Sequence, residues 1–186
     1  PIMNSITKYS SLKNKNVLIT GGASGIGENI VECFLKQDCK VAFLDKEKEI
    51  SNNLVKKLTQ YKYKPFYSEC DLLKVDKIKK SINEIQSKIG PISILVNNAA
   101  NDDRHNIDDV TPEYWDNRMH INLRHYFFTI QSVYNDMKKL GGGSIINMGS
   151  YSWMLPQGGM VGYATAKSAV MGLTRTLARD LGIFNI

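Results

Sequence analysis

The sequence predicts an α/β fold, a doubly wound and mainly parallel sheet of Rossmann type, and three observations carry that prediction. Short apolar runs alternate with helical stripes from Lys15 onward, the pattern of strands joined by crossover helices. The second of these runs has the continuously apolar interior Val41-Ala42-Phe43-Leu44, as strands covered on both faces do. The first of them, Val17-Leu18-Ile19, turns through Thr20-Gly21-Gly22-Ala23-Ser24-Gly25-Ile26-Gly27 into a helix. A glycine turn there gathers unpaired N–H groups and the positive end of a helix at one point, ready for a phosphate. Side chains would block both the tight turn and the approach of a pyrophosphate.

The elements follow in order. The helix from about Gly25 shows Ile26, Ile30, Cys33 and Phe34 at helical spacing, read as its buried stripe. Lys40 to Asp45 is the second strand, and Asp45 ends it at the distance where a dinucleotide-binding acid is expected. Ile50, Leu54 and Leu58 mark a second helix, and Pro65 opens a third strand over Phe66 to Cys70. Val75, Ile78, Ile82, Ile85 and Ile89 form a third helix closed by Gly90-Pro91. Ile92 to Val96 is the fourth strand and runs into Asn97-Asn98-Ala99-Ala100. Thr111-Pro112-Glu113 starts a helix, with a hydroxyl cap, a first-turn proline and an acid near the positive end. That helix is expected to run to about Lys139, where Gly141 to Gly143 stop it. Ser144 to Met148 is the fifth strand, a loop runs from Gly149 to Met160, and a last helix carries Tyr163, Lys167, Val170 and Leu177 to Gly182.

The 186 residues suffice for one well-buried core and fall short of two ordinary domains, so residues 1–186 are read as one dinucleotide-binding and catalytic domain. No apolar run approaches the length that crosses a bilayer, and the N-terminal residues lack the apolar centre of a signal peptide. A soluble, cytoplasmic protein is the expectation. The net charge of +6 comes mostly from lysines scattered over helices, which argues against nucleic acid and membrane surfaces as partners. Cys33, Cys39 and Cys70 have no metal-ligand spacing and sit at core or strand positions, so they read as reduced, structural thiols.

Tyr163 and Lys167 lie one helical turn apart on one face. A phenol of ordinary pKa near 10 is a poor proton carrier at neutral pH, and a neighbouring ammonium favours its phenolate. Such a pair can move a proton to or from a carbonyl or alcohol oxygen. Ser150 ends the fifth strand where its hydroxyl can meet the reacting oxygen. Asn122 stands inside the long helix where an apolar residue is expected.

With the glycine turn, Asn97-Asn98-Ala99, Asn122, Ser150 and Tyr163-x3-Lys167 in this order, the sequence resembles the short-chain dehydrogenase/reductase family from Lys15 onward. The resemblance implies Tyr163 as acid/base and Ser150 as orienter of the substrate oxygen, with Ser152 the second choice. It implies Lys167 as holder of the nicotinamide ribose, and Asn122 as holder of a relay water. The cofactor set it implies is Gly21, Ser24, Gly25, Ile26, Gly27, Asp45, Asp71, Leu72, Asn98, Ala99 and Ala100, together with Tyr163 and Lys167. Ala100 and Ser93 depart from the family pattern, which usually has Gly and often has Asp there.

The stretches Asn97 to His105, Thr111 to Asp116, Asn122 to Phe128 and Gly149 to Trp153 are similar to the xylose and arabinose 1-dehydrogenases. The expectation is an NAD-dependent oxidoreductase acting on a sugar or polyol, with no metal. Asp102, Asp103, Arg104 and His105 would supply a hydrogen-bonding loop beside the site, and Trp153 and Met154 a wall. Alternatives are a 3-oxoacyl-carrier-protein reductase or general carbonyl reductase using NADPH, and a non-catalytic dinucleotide-binding regulator. In this family the helices near Thr111 and Met160 pair between subunits, so a homo-oligomer, dimer or tetramer, is expected. Trp115, Met119, Phe127, Ile130 and Val133 would supply its apolar surface. The family continues through further strands, so the domain is expected to be C-terminally incomplete, with Ile183 to Ile186 starting another strand and the fifth strand left as a sheet edge.

Overall fold

Strands with apolar interiors need cover on both faces, and the computed structural model, which describes residues 7–186, provides it for the three central strands. Strands β1 (Asn16–Thr20), β2 (Lys40–Asp45), β3 (Phe66–Glu69), β4 (Ile94–Asn97) and β5 (Ser144–Asn147) form one parallel sheet in the order β3-β2-β1-β4-β5. Helices α1 (Gly25–Lys36) and α2 (Lys48–Lys57) cover one face, where Val17, Ile19, Val41 and Phe43 meet Val31, Leu35, Leu54 and Leu58. Helices α3 (Val75–Ile89) and α5 (His125–Lys139) cover the other, where Leu18, Ala42, Leu44 and Leu95 meet Ile78, Ile82, Ile85, Ile130 and Val133. Alternate residues of each strand therefore go to opposite cores. The order reverses between β1 and β4, so Thr20 and Asn97, paired in register, flank the crevice in which ligands of such sheets bind.

Four local expectations are corrected. In α1 the buried residues are Gly27, Val31 and Leu35, while Ile26 and Cys33 are exposed. The cause is Gly27: a β-carbon there would overlap the carbonyl oxygen of Gly21, so the helix is rotated to put Gly27 against the turn. Val31 and Leu35 follow on the same face. Ile30 and Phe34 line a shallow apolar groove with Val96, Ile146 and Met148 instead. In α2, Ile50 is exposed and Ser51 takes the inward position, its hydroxyl donating to the carbonyl of Glu47 at 2.7 Å.

The helix expected from Thr111 to Lys139 is two helices, α4 (Pro112–Met119) and α5, joined by a π turn at His120–Arg124. Thr111 caps α4 as expected, its Oγ1 accepting from the N–H of Tyr114. Ile183 to Ile186 do not extend: α6 (Val161–Leu181) passes into a 3-10 turn at Gly182–Phe184. Asn185 then adopts a left-handed conformation, and its carbonyl accepts from the N–H of Gly143 at 3.0 Å. Among the described residues β5 is a sheet edge, with Ile146 46% exposed.

Cys39 and Cys70 are buried as expected, and burial pushes the Cys39 thiol up to about 11.

Two glycines test this packing in opposite directions. Gly27→Ala is expected to lower stability by about 1–3 kcal/mol, since backbone must move to admit the methyl group. Gly172→Ala, in the interior of α6 with open space around it, is expected to add about 0.5–1 kcal/mol. Urea unfolding midpoints of the two variants check both signs.

Candidate active site

The hydroxyl of Thr20 accepts from the backbone N–H groups of Asn98 (3.0 Å) and Ala99 (3.1 Å). The Asn98 side chain answers by donating to the carbonyls of Thr20 (3.1 Å) and Gly21 (3.0 Å). These bonds lock the ends of β1 and β4 together on the two sides of the crevice. Gly21 has φ +66°, and a β-carbon on it would lie 2.9 Å from Cα of Ala99. The glycine turn is thus pressed against β4, and α1 begins directly above it with Gly25 at φ +57°. Ser24, the residue before α1, makes no side-chain cap bond, so the first-turn N–H groups are not consumed by a cap.

A cleft of about 660 Å³ lies over these strand ends. Gly21, Ser24, Ile26, Gly27, Asp45, Asp71, Leu72, Asn98, Ala99, Ala100, Tyr163 and Lys167 all line it. Gly25 does not, but contributes the bend that aims its neighbours. Asp45 is held by the N–H groups of Ala23 and Glu47, each at 3.0 Å. Asp71 accepts from the N–H of Leu73 at 3.0 Å. A chain without side chains at the turn, a helix end above it and an acid at the end of β2 fits a dinucleotide pyrophosphate with its adenosine ribose.

At the other end of the cleft Lys167 is 2% exposed, and its Nζ lies 5.7 Å from the ring centre of Tyr163. The ammonium donates to the hydroxyl of Tyr126 (2.8 Å) and to the carbonyl of Met148 (2.6 Å). Burial pulls the Lys167 pKa down to about 8. His125 beside it is fully buried, with Nε2 at 3.1 Å from the carbonyl of Ala99. Burial pushes its pKa down to about 3, so the ring is neutral at physiological pH, and the carbonyl partner requires the proton on Nε2.

Two residues picked out by sequence stand back from the cleft. Asn122, fully buried in the π turn, accepts from the N–H of Asn101 (2.8 Å) and donates to its carbonyl (2.9 Å). It therefore clamps the loop after β4. Ser150 follows Gly149 of the rim, and its hydroxyl donates to that of Ser152 at 2.9 Å. Trp153 and Met154, expected as a wall, are partly or largely exposed and do not line the cleft.

Arg118 and Tyr126 went unread in the sequence. Arg118, 7% exposed, donates to Asn101 (2.8 Å), Asp103 (2.9 Å) and Asn117 (2.6 Å), so it braces the same loop as Asn122. The signal was present: Arg118, Asn122, His125 and Thr129 make a polar stripe on a face where apolar residues are expected. Among the described residues no group of three or more His, Cys, Asp or Glu side chains is placed to hold a metal ion, and no helix is long and apolar enough to cross a membrane.

A model of the short chain dehydrogenase family matches residues 15–186. Over 174 residues the chain is 48% identical to a D-xylose 1-dehydrogenase of Caulobacter vibrioides, covering 94% of this chain and 68% of that protein. Over 181 residues it is 41% identical to a probable galactose dehydrogenase of Rhizobium meliloti, covering 97% and 71%. The ligand-free aldohexose dehydrogenase of Thermoplasma acidophilum has a similar structure, with TM-score 0.80, 31% identity and coverage of 92% and 63%. An actinorhodin polyketide ketoreductase solved with NADPH shares the fold at TM-score 0.86 and 24% identity, covering 93% and 67%.

The buried ammonium of Lys167 carries a cost that pH reveals. Its pKa is lower folded than unfolded, so the penalty is present in full below about pH 8 and relieved as pH rises towards 10.5. Lys167→Met is expected to be more stable than the wild type at pH 7 by an amount on the order of 1–3 kcal/mol. That advantage should shrink at pH 10, which paired urea titrations measure.

Proposed function

Because the chain belongs to the short-chain dehydrogenase family and is an NAD(P)-dependent oxidoreductase, we propose that it oxidises an aldose at C1 with NAD and releases the lactone. The observation that carries this reading is the pairing, at one end of the dinucleotide cleft, of the Tyr163 phenol with the buried ammonium of Lys167. The likeness to xylose, galactose and aldohexose dehydrogenases supports a sugar as the substrate class.

When bound, the nicotinamide dinucleotide supplies the hydride acceptor. The chain supplies the rest. Tyr163 takes the proton of the C1 hydroxyl as the C–H bond breaks, and Lys167 favours the phenolate that does so. The third N–H of the Lys167 ammonium, left over after Tyr126 and Met148, is free for ribose hydroxyls. Ser150, behind the rim residue Gly149, orients the reacting oxygen by exchanging its bond to Ser152 for one to the substrate. Asn122 and Arg118 keep the loop after β4 in place, with Asn101 at the cleft, whereas Asp102 to His105 lie outside its lining.

Asp45 supports NAD over NADP. Held by two backbone N–H groups, its carboxylate keeps lone pairs for ribose hydroxyls and repels an added phosphate. One observation favours the second reading, an NADPH-dependent ketone reductase: Lys46 lines the same cleft beside Asp45.

Dimer or tetramer formation is part of the proposal. Ile130 and Val133 are spent on the sheet, but Phe127 on α5 and Val161 and Met171 on α6 are 41–48% exposed. Sedimentation is expected to give a species larger than the monomer, and Phe127→Asp to shift it towards monomer.

A panel of aldoses, polyols and ketone thioesters with both dinucleotides, followed by nicotinamide absorbance, tests the reaction. Pentoses or hexoses with NAD are expected to turn over fastest. Tyr163→Phe should lose about 10²–10⁴ of turnover with dinucleotide binding retained. Asp45→Ala should erode the preference for NAD. Equal activity in Tyr163→Phe refutes the mechanism, and ketone reduction with NADPH as the main activity selects the second reading.

A further inference from the structure

Tyr126 has no place in the reaction as derived so far, yet it touches the lysine on which that reaction depends. It is fully buried on α5, just after the π turn. Its hydroxyl donates to the carbonyl of Met148 at 3.1 Å and accepts from Lys167 at 2.8 Å. A phenol has one proton and two lone pairs. With the proton committed to Met148, the oxygen can only accept from Lys167, and so it stabilises the charged ammonium over the neutral amine. Lys167 also donates to Met148 at 2.6 Å, so lysine, phenol and carbonyl close a triangle that aims the remaining N–H at the cleft.

The phenol is itself well fixed. The His125 ring packs edge-on against it with centres 4.5 Å apart. We propose that Tyr126 is a positioning residue that keeps Lys167 charged and in place, and thereby sets the pH at which Tyr163 yields its proton. This rests on the reading of Tyr163 as the acid/base.

The titratable groups facing the triangle are few. His125 on α5 is neutral above about pH 3 and adds no charge in the working range. Burial holds the Tyr126 phenol well above the ordinary range, so it stays protonated. From α6 comes Tyr163, and from the end of β5 only the uncharged carbonyl of Met148. Of the groups in the triangle itself, Lys167 is therefore the one whose charge changes in the working range.

The test removes one oxygen and keeps the ring. In Tyr126→Phe without any dinucleotide, lysine-selective NMR should show the Lys167 midpoint falling below the wild-type value by on the order of one pH unit. The rising limb of kcat/KM for sugar oxidation should move up by a similar amount, because less ammonium faces Tyr163. A merely structural role would lower turnover at every pH without moving either midpoint, and that result overturns the proposal. In the Lys167→Met background, removing the Tyr126 oxygen should shift nothing further. If Tyr126→Phe folds poorly, 3-fluorotyrosine at position 126 keeps the shape but weakens the oxygen as acceptor, and should move the Lys167 midpoint the same way by less. The two readings fail separately. Full activity in Tyr163→Phe ends the acid/base assignment, whereas an unmoved Lys167 midpoint in the folded variant ends the role of Tyr126.

Discussion

The constraint on which the rest depends is the contact between Gly27 and the carbonyl of Gly21, with the Thr20 hydroxyl beside it tying β1 to β4. Removing two side chains lets a helix start almost on top of a strand end. Everything downstream in space inherits that placement. The rotation of α1 follows from it, and so does the direction of its first-turn N–H groups. The width of the crevice follows too, because Asn98 bonds to the carbonyls of both Thr20 and Gly21 and cannot move away from the turn. A binding site for a charged ligand is usually costly to preform. Here the preforming is done by backbone, which has no rotamers to freeze.

Much of this was legible in the sequence, and the reason is locality. The first, second and fourth strands have apolar interiors and the turn carries its own signature, so the order of elements and the cleft residues could be read directly. What was misread depends on contacts between distant segments. Periodicity alone made Ile26 and Cys33 inward, because nothing within α1 says which face Gly27 must present. Ile50 looked like core because its alternative, Ser51, satisfies its hydroxyl within the helix and so can be buried. The π turn was invisible because every residue from Thr111 to Lys139 is compatible with a straight helix. Its cause lies across a gap, where both polar groups of the Asn101 backbone are met by Asn122.

The interior of α5 shows why a buried polar stripe can persist in a core. Thr129 donates to Asn97, and Asn97 donates to Asn147, so the hydrogen bonds run from helix to β4 to β5. Each member satisfies the next, which removes most of the desolvation cost that isolated groups would incur. Two groups stand outside this network among the described residues: Nδ1 of His125 has no partner, and the charge of Lys167 is buried against one phenol and one carbonyl with no carboxylate, at a cost in stability.

The exposure of Cys33 has a practical consequence. Of the three thiols, Cys39 and Cys70 are buried and pushed up in pKa by that burial, while Cys33 stands open on α1. A maleimide dye would therefore attach at a single sulfur without any engineered cysteine. The dye would ride on the helix whose first turn borders the cleft, along the groove formed with Ile146 and Met148. The native molecule thus carries its own optical handle for following ligand occupancy in real time, independent of any absorbance change in the ligand itself.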